Sequence, residues 1–295
     1  MKIYDMHIHL GLDKNGDGDI LEMMRKSGVY GGCIFSPPPK QFSADKGKSF
    51  DERLSEVLNF VSGKKDRLFP IMWIHPYEEN IIENIDKAIE KGIDGFKIIC
   101  SDFFVYEEQS INVLKYIASK NKPVFFHTGI LWDGEISSQY NRPLNFEALI
   151  KINGLKFSVG HCSWPWVDEC LALYGKFLNG IRSGNTAEMF LDTTPGTPKI
   201  YREELLTKLF TIGYDIGDNI LFGTDCNAEK YNSEWSSEWL LTDKNIMDKL
   251  GVGENIRKKL YCDNIMRFLG KSSEIKEYRS PTTDNSNSCS YKGNE

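Results

Sequence analysis

Residues 2–9 read KIYDMHIH, and they place two histidines at the end of the first predicted strand. His7 and His9 are two positions apart, and side chains with this spacing point to the same face of a strand. Two imidazoles on one face can hold one metal ion between them. A half-buried strand with two hydrogen-bonded histidines has the same spacing, so the pair needs support from the rest of the chain.

Short apolar runs alternate with amphipathic stretches along the chain that follows. Strands are predicted at residues 2–9, 32–36, 68–74, 95–100, 123–127, 156–161, 189–193 and 219–224. Helices are predicted at residues 19–27, 50–62, 81–91, 110–120, 145–152, 166–177, 201–212, 233–250 and 254–269. This alternation indicates a parallel sheet, and the number of units matches a single-domain (β/α)8 TIM barrel. An open doubly wound sheet is the alternative, but no GxGxxG motif follows the first strand.

Two segments fall outside this pattern. The barrel is expected to cover residues 1–270, and the polar residues 271–295 are expected to form a flexible tail. Residues 13–19, DKNGDGD, are similar to the start of an EF-hand calcium loop. Position twelve of that loop is Met24 instead of glutamate, and no helix precedes it, so a loop at the mouth of the barrel is the preferred interpretation.

Composition narrows the class of protein. The chain has 295 residues, 40% of them hydrophobic and 26% charged, with a net charge of -6. This balance allows a large core, and the mild acidity gives no general attraction to nucleic acid or to a membrane surface. No apolar run has the length of a signal peptide or a membrane span, so a cytoplasmic protein is expected. The seven cysteines are scattered and include no CxxC pair, which argues against a disulfide framework or a zinc finger.

The histidines show where chemistry is expected. All five come at or just after the carboxyl end of a predicted strand: His7, His9, His75, His127 and His161. Asp225 follows the eighth strand in the same way. In a (β/α)8 barrel these strand ends meet at one mouth, where active sites lie. The sequence therefore predicts a ring of imidazoles closed by a carboxylate, which is typical of a divalent metal site.

Lys97 lies inside the fourth strand, between apolar neighbours. A buried lysine is costly unless it is paired or neutral. Three interpretations stay open: an ion-paired or snorkelling side chain, a cation that binds the substrate, and a carbamylated lysine that bridges two metal ions.

Together these residues resemble the amidohydrolase superfamily, and most closely its amidohydrolase-2 branch of barrel hydrolases and decarboxylases. The resemblance extends from the first strand to about Gly270. It rests on residues 5–9 (DMHIH), 95–97 (GFK), 126–129 (FHTG), 160–162 (GHC), 222–225 (FGTD) and 264–269 (NIMRFL). The chain departs from the branch at residues 98–100, where Ile-Ile-Cys replaces the common Leu-His-Pro after the lysine, and so it lacks a histidine that would help to bind anions there.

The resemblance implies one or two divalent metal ions, with zinc as the first expectation. His7, His9, His127 and Asp225 stand where the family has metal ligands. In two-metal members the strand-four lysine is carbamylated and the strand-six histidine binds the second ion, and Lys97 and His161 stand in those places. In one-metal members the strand-six histidine instead polarises the substrate or transfers protons.

The expected activity is hydrolysis of a small-molecule amide, ester or lactone by metal-activated water. Asp225 is the expected proton acceptor, and His161 is expected to hold the reacting oxygen. One alternative is non-oxidative decarboxylation or hydration of a small aromatic or dicarboxylic acid. Another is a barrel that binds metal without catalysis.

Four further residues are candidates for contact with the substrate: Arg142, Trp132, Trp164 and His75. Packing or surface roles are the alternatives for each. A small-molecule substrate is the expected partner, with no nucleic acid and no membrane, and a homo-oligomer is compatible with the sequence.

Overall fold

In the computed structural model, residues 1–11, 19–42 and 47–271 are described. Nearly all of segment 13–19 and the predicted tail beyond Lys271 lie outside these residues. Within them the strands are β1 (Tyr4–His9), β2 (Gly31–Phe35), β3 (Leu68–Trp73), β4 (Gly95–Ile98), β5 (Val124–Phe126), β6 (Lys156–Val159), β7 (Glu188–Asp192), β8 (Ile220–Leu221) and β9 (Cys226–Asn227). All pairings between them are parallel, and the sheet order is β8-β7-β6-β5-β4-β3-β2-β1-β9.

The sheet closes because β8 and β9 are two halves of one interrupted strand. β8 pairs with β7, whereas β9 pairs with β1. Between the two halves, Met6 N donates to Phe222 O at 2.9 Å and Asp225 N donates to His7 O at 3.0 Å. Asp225 sits at the interruption with a φ of 62°, in the left-handed region that aspartate tolerates better than most residues. The structure therefore confirms the predicted (β/α)8 barrel.

Helices surround the barrel. They are α1 (Ile20–Lys26), α2 (Phe50–Phe60), α3 (Ile81–Glu90), α4 (Glu108–Ser119), α5 (Val167–Arg182), α6 (Arg202–Thr211), α7 (Ser233–Lys249), α8 (Glu254–Lys258) and α9 (Asn264–Phe268). In α3 the buried residues Ile81, Ile85 and Ala88 recur at helical spacing and face the sheet. Among the described helices, none has both the length and the apolar character needed to cross a bilayer.

Two predicted helices differ in form from the expectation. The helix predicted at 145–152 is a 3₁₀ helix, Pro143–Lys151, because its buried residues Pro143, Phe146 and Leu149 recur every three positions, which is the period of a 3₁₀ turn. The helix predicted at 254–269 is divided into α8 and α9 by a π-helical turn, Lys259–Asp263. A wider turn shifts which face is buried, and after it the helix packs into the barrel instead of against its outer layer.

The interior of the barrel is filled at its amino end. Phe268 of α9 packs against Phe125 and Phe190, with ring centroids 4.9 Å and 4.7 Å apart. The apolar cluster inside the barrel continues through Met6 and Ile71. Among the described residues, the space left inside the barrel therefore lies toward the carboxyl ends of the strands.

Asp5 stabilises the closure of the barrel. Its buried carboxylate accepts hydrogen bonds from His7 N at 3.0 Å, Thr224 N at 3.0 Å, Thr224 Oγ1 at 2.5 Å and Tyr231 Oη at 3.0 Å. Each buried donor left without an acceptor costs about 1–3 kcal/mol. We therefore expect Asp5→Ala to lower the free energy of unfolding by at least about 3 kcal/mol in urea titrations followed by circular dichroism.

Asp51→Ala is the matched control, because Asp51 lies in the first turn of α2 and its carboxylate makes an exposed ion pair with Lys87. Such pairs contribute about 0–1 kcal/mol. Equal losses of stability in the two variants would contradict the role assigned to Asp5.

Candidate active site

A cavity of about 260 Å³ opens at the carboxyl ends of the strands. Its described lining contains all six of the predicted metal-site residues, which are His7, His9, Lys97, His127, His161 and Asp225. The remaining walls are mostly apolar and aromatic, with Phe42, Trp73, Trp132 and Trp164 among them. The residues that the sequence placed at strand ends therefore share one chamber.

Three of these side chains form the tightest cluster. Ligand atoms of His7, His9 and Asp225 all lie within 4.8 Å of one another. Asp225 Oδ1 is 3.3 Å from His9 Nε2 and 3.6 Å from His7 Nε2. The two histidines face the same way because they are two positions apart on β1. Asp225 reaches them from the interruption between β8 and β9.

The charges of this cluster suit a divalent cation. Burial lowers the pKa of His7 to about 3, and the charge of Lys97 acts in the same direction. Burial also lowers the pKa of His9. Burial alone would raise the pKa of Asp225, but the hydrogen bond with His9 and the nearby imidazoles hold it well below its usual value. Two neutral imidazoles and one ionised carboxylate are a donor set that fits zinc and similar ions.

His7 is oriented by a residue of the seventh strand. Asp192 Oδ2 lies 2.9 Å from Nδ1 of His7. Because a carboxylate accepts, His7 carries its proton on Nδ1 and turns an unprotonated Nε2 toward Asp225 and Lys97. Hydrogen bonds of this kind set the tautomer and the basicity of metal-binding histidines.

His127 and His161 lie beside the cluster. Their ring centroids are 5.0 Å apart, and that of His161 is 5.3 Å from that of His7. His127 Nε2 is 3.2 Å from Ile130 O, and His161 Nδ1 is 3.2 Å from Thr194 O. Since carbonyl oxygens only accept, neutral rings would leave Nδ1 of His127 and Nε2 of His161 available to a ligand. Burial, followed by the charge of His161, holds the pKa of His127 well below its usual value.

Lys97 lies at the floor of the cavity and exposes only 1% of its surface. Its Nζ is 3.1 Å from His7 Nε2 and 4.5 Å from the ring centroid of Phe35. Burial lowers its pKa to about 8, although Asp225 and Asp192 oppose this shift. Among the described residues of the lining, Lys97 is the one lysine or arginine.

The four predicted substrate contacts divide into two pairs. Trp132 and Trp164 line the cavity. Arg142 points elsewhere, because its guanidinium pairs with Glu169 at 3.0 Å and stacks on Trp166. His75 is buried outside the lining, where its Nε2 is 2.9 Å from Asp102 Oδ1. The structure thus gives Arg142 and His75 protein partners and no place in the cavity wall.

Several residues of the site were not singled out from the sequence. Asp192 ends β7 as the histidines end their strands, so the same rule would have identified it. Thr194 contributes through its carbonyl oxygen, which any residue has, and Phe42 comes from an irregular segment after three prolines. No sequence signal marks these two.

Comparison with known proteins gives a consistent result. The family model described as Amidohydrolase (Amidohydro_2) matches residues 4–271. Similar solved structures include 5-carboxyvanillate decarboxylase from Sphingomonas paucimobilis, with a TM-score of 0.64, 11% identity and coverage of 91% of this chain and 99% of that one. The probable 2-pyrone-4,6-dicarboxylic acid hydrolase from Acinetobacter baumannii, solved with citric acid bound, has a TM-score of 0.60, 12% identity and coverage of 92% and 100%. Dihydroorotase from Campylobacter jejuni has a TM-score of 0.55, 14% identity and coverage of 92% and 84%.

At these identities the solved structures establish the fold alone. Comparison with curated protein sequences gives no match.

Proposed function

The chain belongs to the amidohydrolase family, in its amidohydrolase-2 branch, and we propose that it is a metal-dependent hydrolase of a small-molecule amide, ester or lactone. The family consists of enzymes that act on small molecules. The observation that carries the proposal is the cluster of His7, His9 and Asp225 inside a cavity at the carboxyl ends of the strands.

The cluster is proposed to hold one divalent cation, with zinc as the first expectation from its nitrogen and oxygen donors. When bound, such a cation supplies hydroxide at neutral pH, because it lowers the pKa of water to about 7. His127 and His161 border the same space and are further candidate ligands. A second ion would need an additional anionic donor, which a carbamylated Lys97 would provide.

Asp225 is the proposed proton acceptor. Its side chain is 39% exposed and faces the cavity, where water can reach it, and the low pKa keeps the carboxylate in its ionised form. The same oxygen can then return the proton to the leaving group. His161 donates to Thr194 O through Nδ1, so Nε2, when it also carries a proton, is the atom proposed to donate to the reacting carbonyl oxygen.

Lys97 is proposed to stay an unmodified amine that binds an oxygen of the substrate. Its Nζ lies 3.1 Å from His7 Nε2 and over the face of Phe35, and these contacts hold the amine at the cavity wall. We expect Lys97→Met to lower kcat/KM by about 100-fold, the range for loss of one charged contact, while the metal content stays at one ion per chain. Steady-state kinetics and elemental analysis of the same samples would measure this.

If Lys97 were carbamylated, the same experiment would give a different metal content. The wild type would then contain two ions per chain, its activity would depend on bicarbonate, and Lys97→Met would lose one ion. Lys122→Met is the control, because Lys122 is partly buried but donates to Ile93 O away from the cavity.

Decarboxylation of a small aromatic acid is the second candidate. The aromatic walls formed by Trp73, Trp132 and Trp164 and the charge of Lys97 favour a flat anionic substrate. A panel of lactones, N-acyl compounds, esters and aromatic acids, analysed by mass spectrometry, separates the two reactions. Gain of water identifies hydrolysis and loss of carbon dioxide identifies decarboxylation, whereas no conversion with the metal-loaded protein would count against both.

A further inference from the structure

A buried ion pair behind the cavity contacts the segment that orients two of the site histidines. Arg202 begins α6 and Asp243 lies in α7, and the side chain of each is only 1% exposed. Arg202 Nε donates to Asp243 Oδ1 at 2.7 Å, and Nη2 donates to Oδ2 at 2.6 Å. Such a two-point pair fixes the plane of the guanidinium as well as its position.

The remaining arm of the guanidinium binds the backbone. Arg202 Nη1 donates to Thr193 O at 2.5 Å. Thr193 belongs to residues 192–196, here called the β7 loop, which leaves the carboxyl end of β7. Asp243 therefore holds Arg202, and Arg202 holds the β7 loop.

The β7 loop supplies the partners of both histidines. Asp192 Oδ2 is the partner of His7 Nδ1, and Thr194 O is the partner of His161 Nδ1. Within the loop, Thr194 N donates to Asp192 Oδ1 at 2.7 Å. A movement of this backbone would therefore change the orientation of two rings together.

Packing leaves little room for such a movement. A Cβ atom added to Gly196 would lie 2.5 Å from Cγ of His161, so the loop backbone rests directly against that ring. A buried ion pair alone is weak evidence for stability, because apolar residues of similar volume often serve as well. Arg202 also donates a hydrogen bond to Thr193 O, which apolar residues could not do because they have no donor.

We propose that Arg202 and Asp243 are positioning residues, which keep His7 and His161 protonated at Nδ1 and directed into the cavity by fixing the β7 loop. The inference rests on the proposed function only in giving these histidines a chemical role. Neither Arg202 nor Asp243 belongs to the described cavity lining or to the clustered metal ligands.

The test compares Asp243→Asn with Glu188→Gln. Glu188 begins β7 at the opposite end of the barrel and accepts from Arg267 Nη1 at 2.6 Å, so both variants change a carboxylate to an amide beside an arginine. With only five histidines in the chain, nitrogen NMR of the untagged protein can report the tautomer of each ring. We expect Asp243→Asn to broaden or shift the signals of His7 and His161 but not of His75, and Glu188→Gln to leave all three unchanged.

Kinetics give a second readout where a substrate is known. Changes behind metal-binding histidines typically lower activity or metal affinity by about 10- to 100-fold. We expect Asp243→Asn to lower kcat within that range and to leave KM close to the wild-type value. The NMR comparison does not need a substrate, so failure of the proposed reaction and failure of this inference remain distinguishable.

Arg202→Lys is the second variant, because it keeps the charge but cannot bind Asp243 and Thr193 O with the same fork. If Asp243→Asn does not fold, the NMR signals of His7 and His161 in Arg202→Lys test the proposal instead. Selective changes at His7 and His161 in a folded variant support the proposal. Wild-type signals at both rings, or equal changes at all histidines and in Glu188→Gln, would overturn it.

Discussion

Asp225→Asn is expected to lower kcat/KM by about a thousandfold. The amide cannot take a proton from water, and a positioned general base accounts for about 10²- to 10⁴-fold of rate. Asparagine also offers a neutral oxygen in place of a charged one beside His7 and His9, so binding of the divalent cation should weaken. Kinetics and elemental analysis of the same preparations would measure both losses.

Asp102→Asn is the matched control for this experiment. Asp102 also follows a strand at the mouth of the barrel and also pairs with a histidine, His75, but it is absent from the described cavity lining. We expect it to keep activity and metal near wild type. If Asp225→Asn did the same, the roles proposed for Asp225 as base and ligand would be wrong.

Removal of the metal is expected to have the largest effect on stability. A ligand that binds only the folded state at a thousand times its Kd stabilises that state by about 4 kcal/mol. For a chain of 295 residues, that corresponds to a rise in Tm of about 7 °C. Scanning calorimetry of chelator-treated protein, with and without added zinc, manganese, nickel or iron, would detect the rise and rank the metals.

His9→Ala should abolish this rise, because it removes one of the three clustered ligands. His75→Ala should preserve it, since His75 is buried beside Asp102 and apart from the cluster. The metal site would be refuted if the metal-free and metal-supplied proteins had the same Tm, or if both variants responded equally to added metal.

The rule that placed polar residues at strand ends explains most of what the sequence predicted. His7, His127, His161 and Asp225 meet in the structure because parallel strands bring their carboxyl ends to one mouth. Apolar patterning limited the fold to a few topologies, and the missing GxGxxG motif argued against an open sheet in favour of the barrel.

The same rule did not determine which way a loop turns after its strand. His75 follows β3 but turns to Asp102, and Arg142 follows β5 but turns to Glu169. These directions depend on partners distant in sequence. The link from Asp243 through Arg202 to Thr193 O was equally hidden, because it ends on a backbone atom that carries no sequence signal.

The interruption of the eighth strand also has a consequence for the order of folding. Thr224 and Asp5 form hydrogen bonds across the seam, the line where the interrupted eighth strand meets β1. They are 219 positions apart in the chain. Contacts between such distant segments form slowly, because the entropy cost of closing a long loop must be met before the contacts can stabilise the fold. His9 and Asp225 stand on opposite sides of this seam, so the ability to chelate appears only when the two ends of the chain have met. The rate of metal uptake during refolding would therefore report the rate at which the barrel closes.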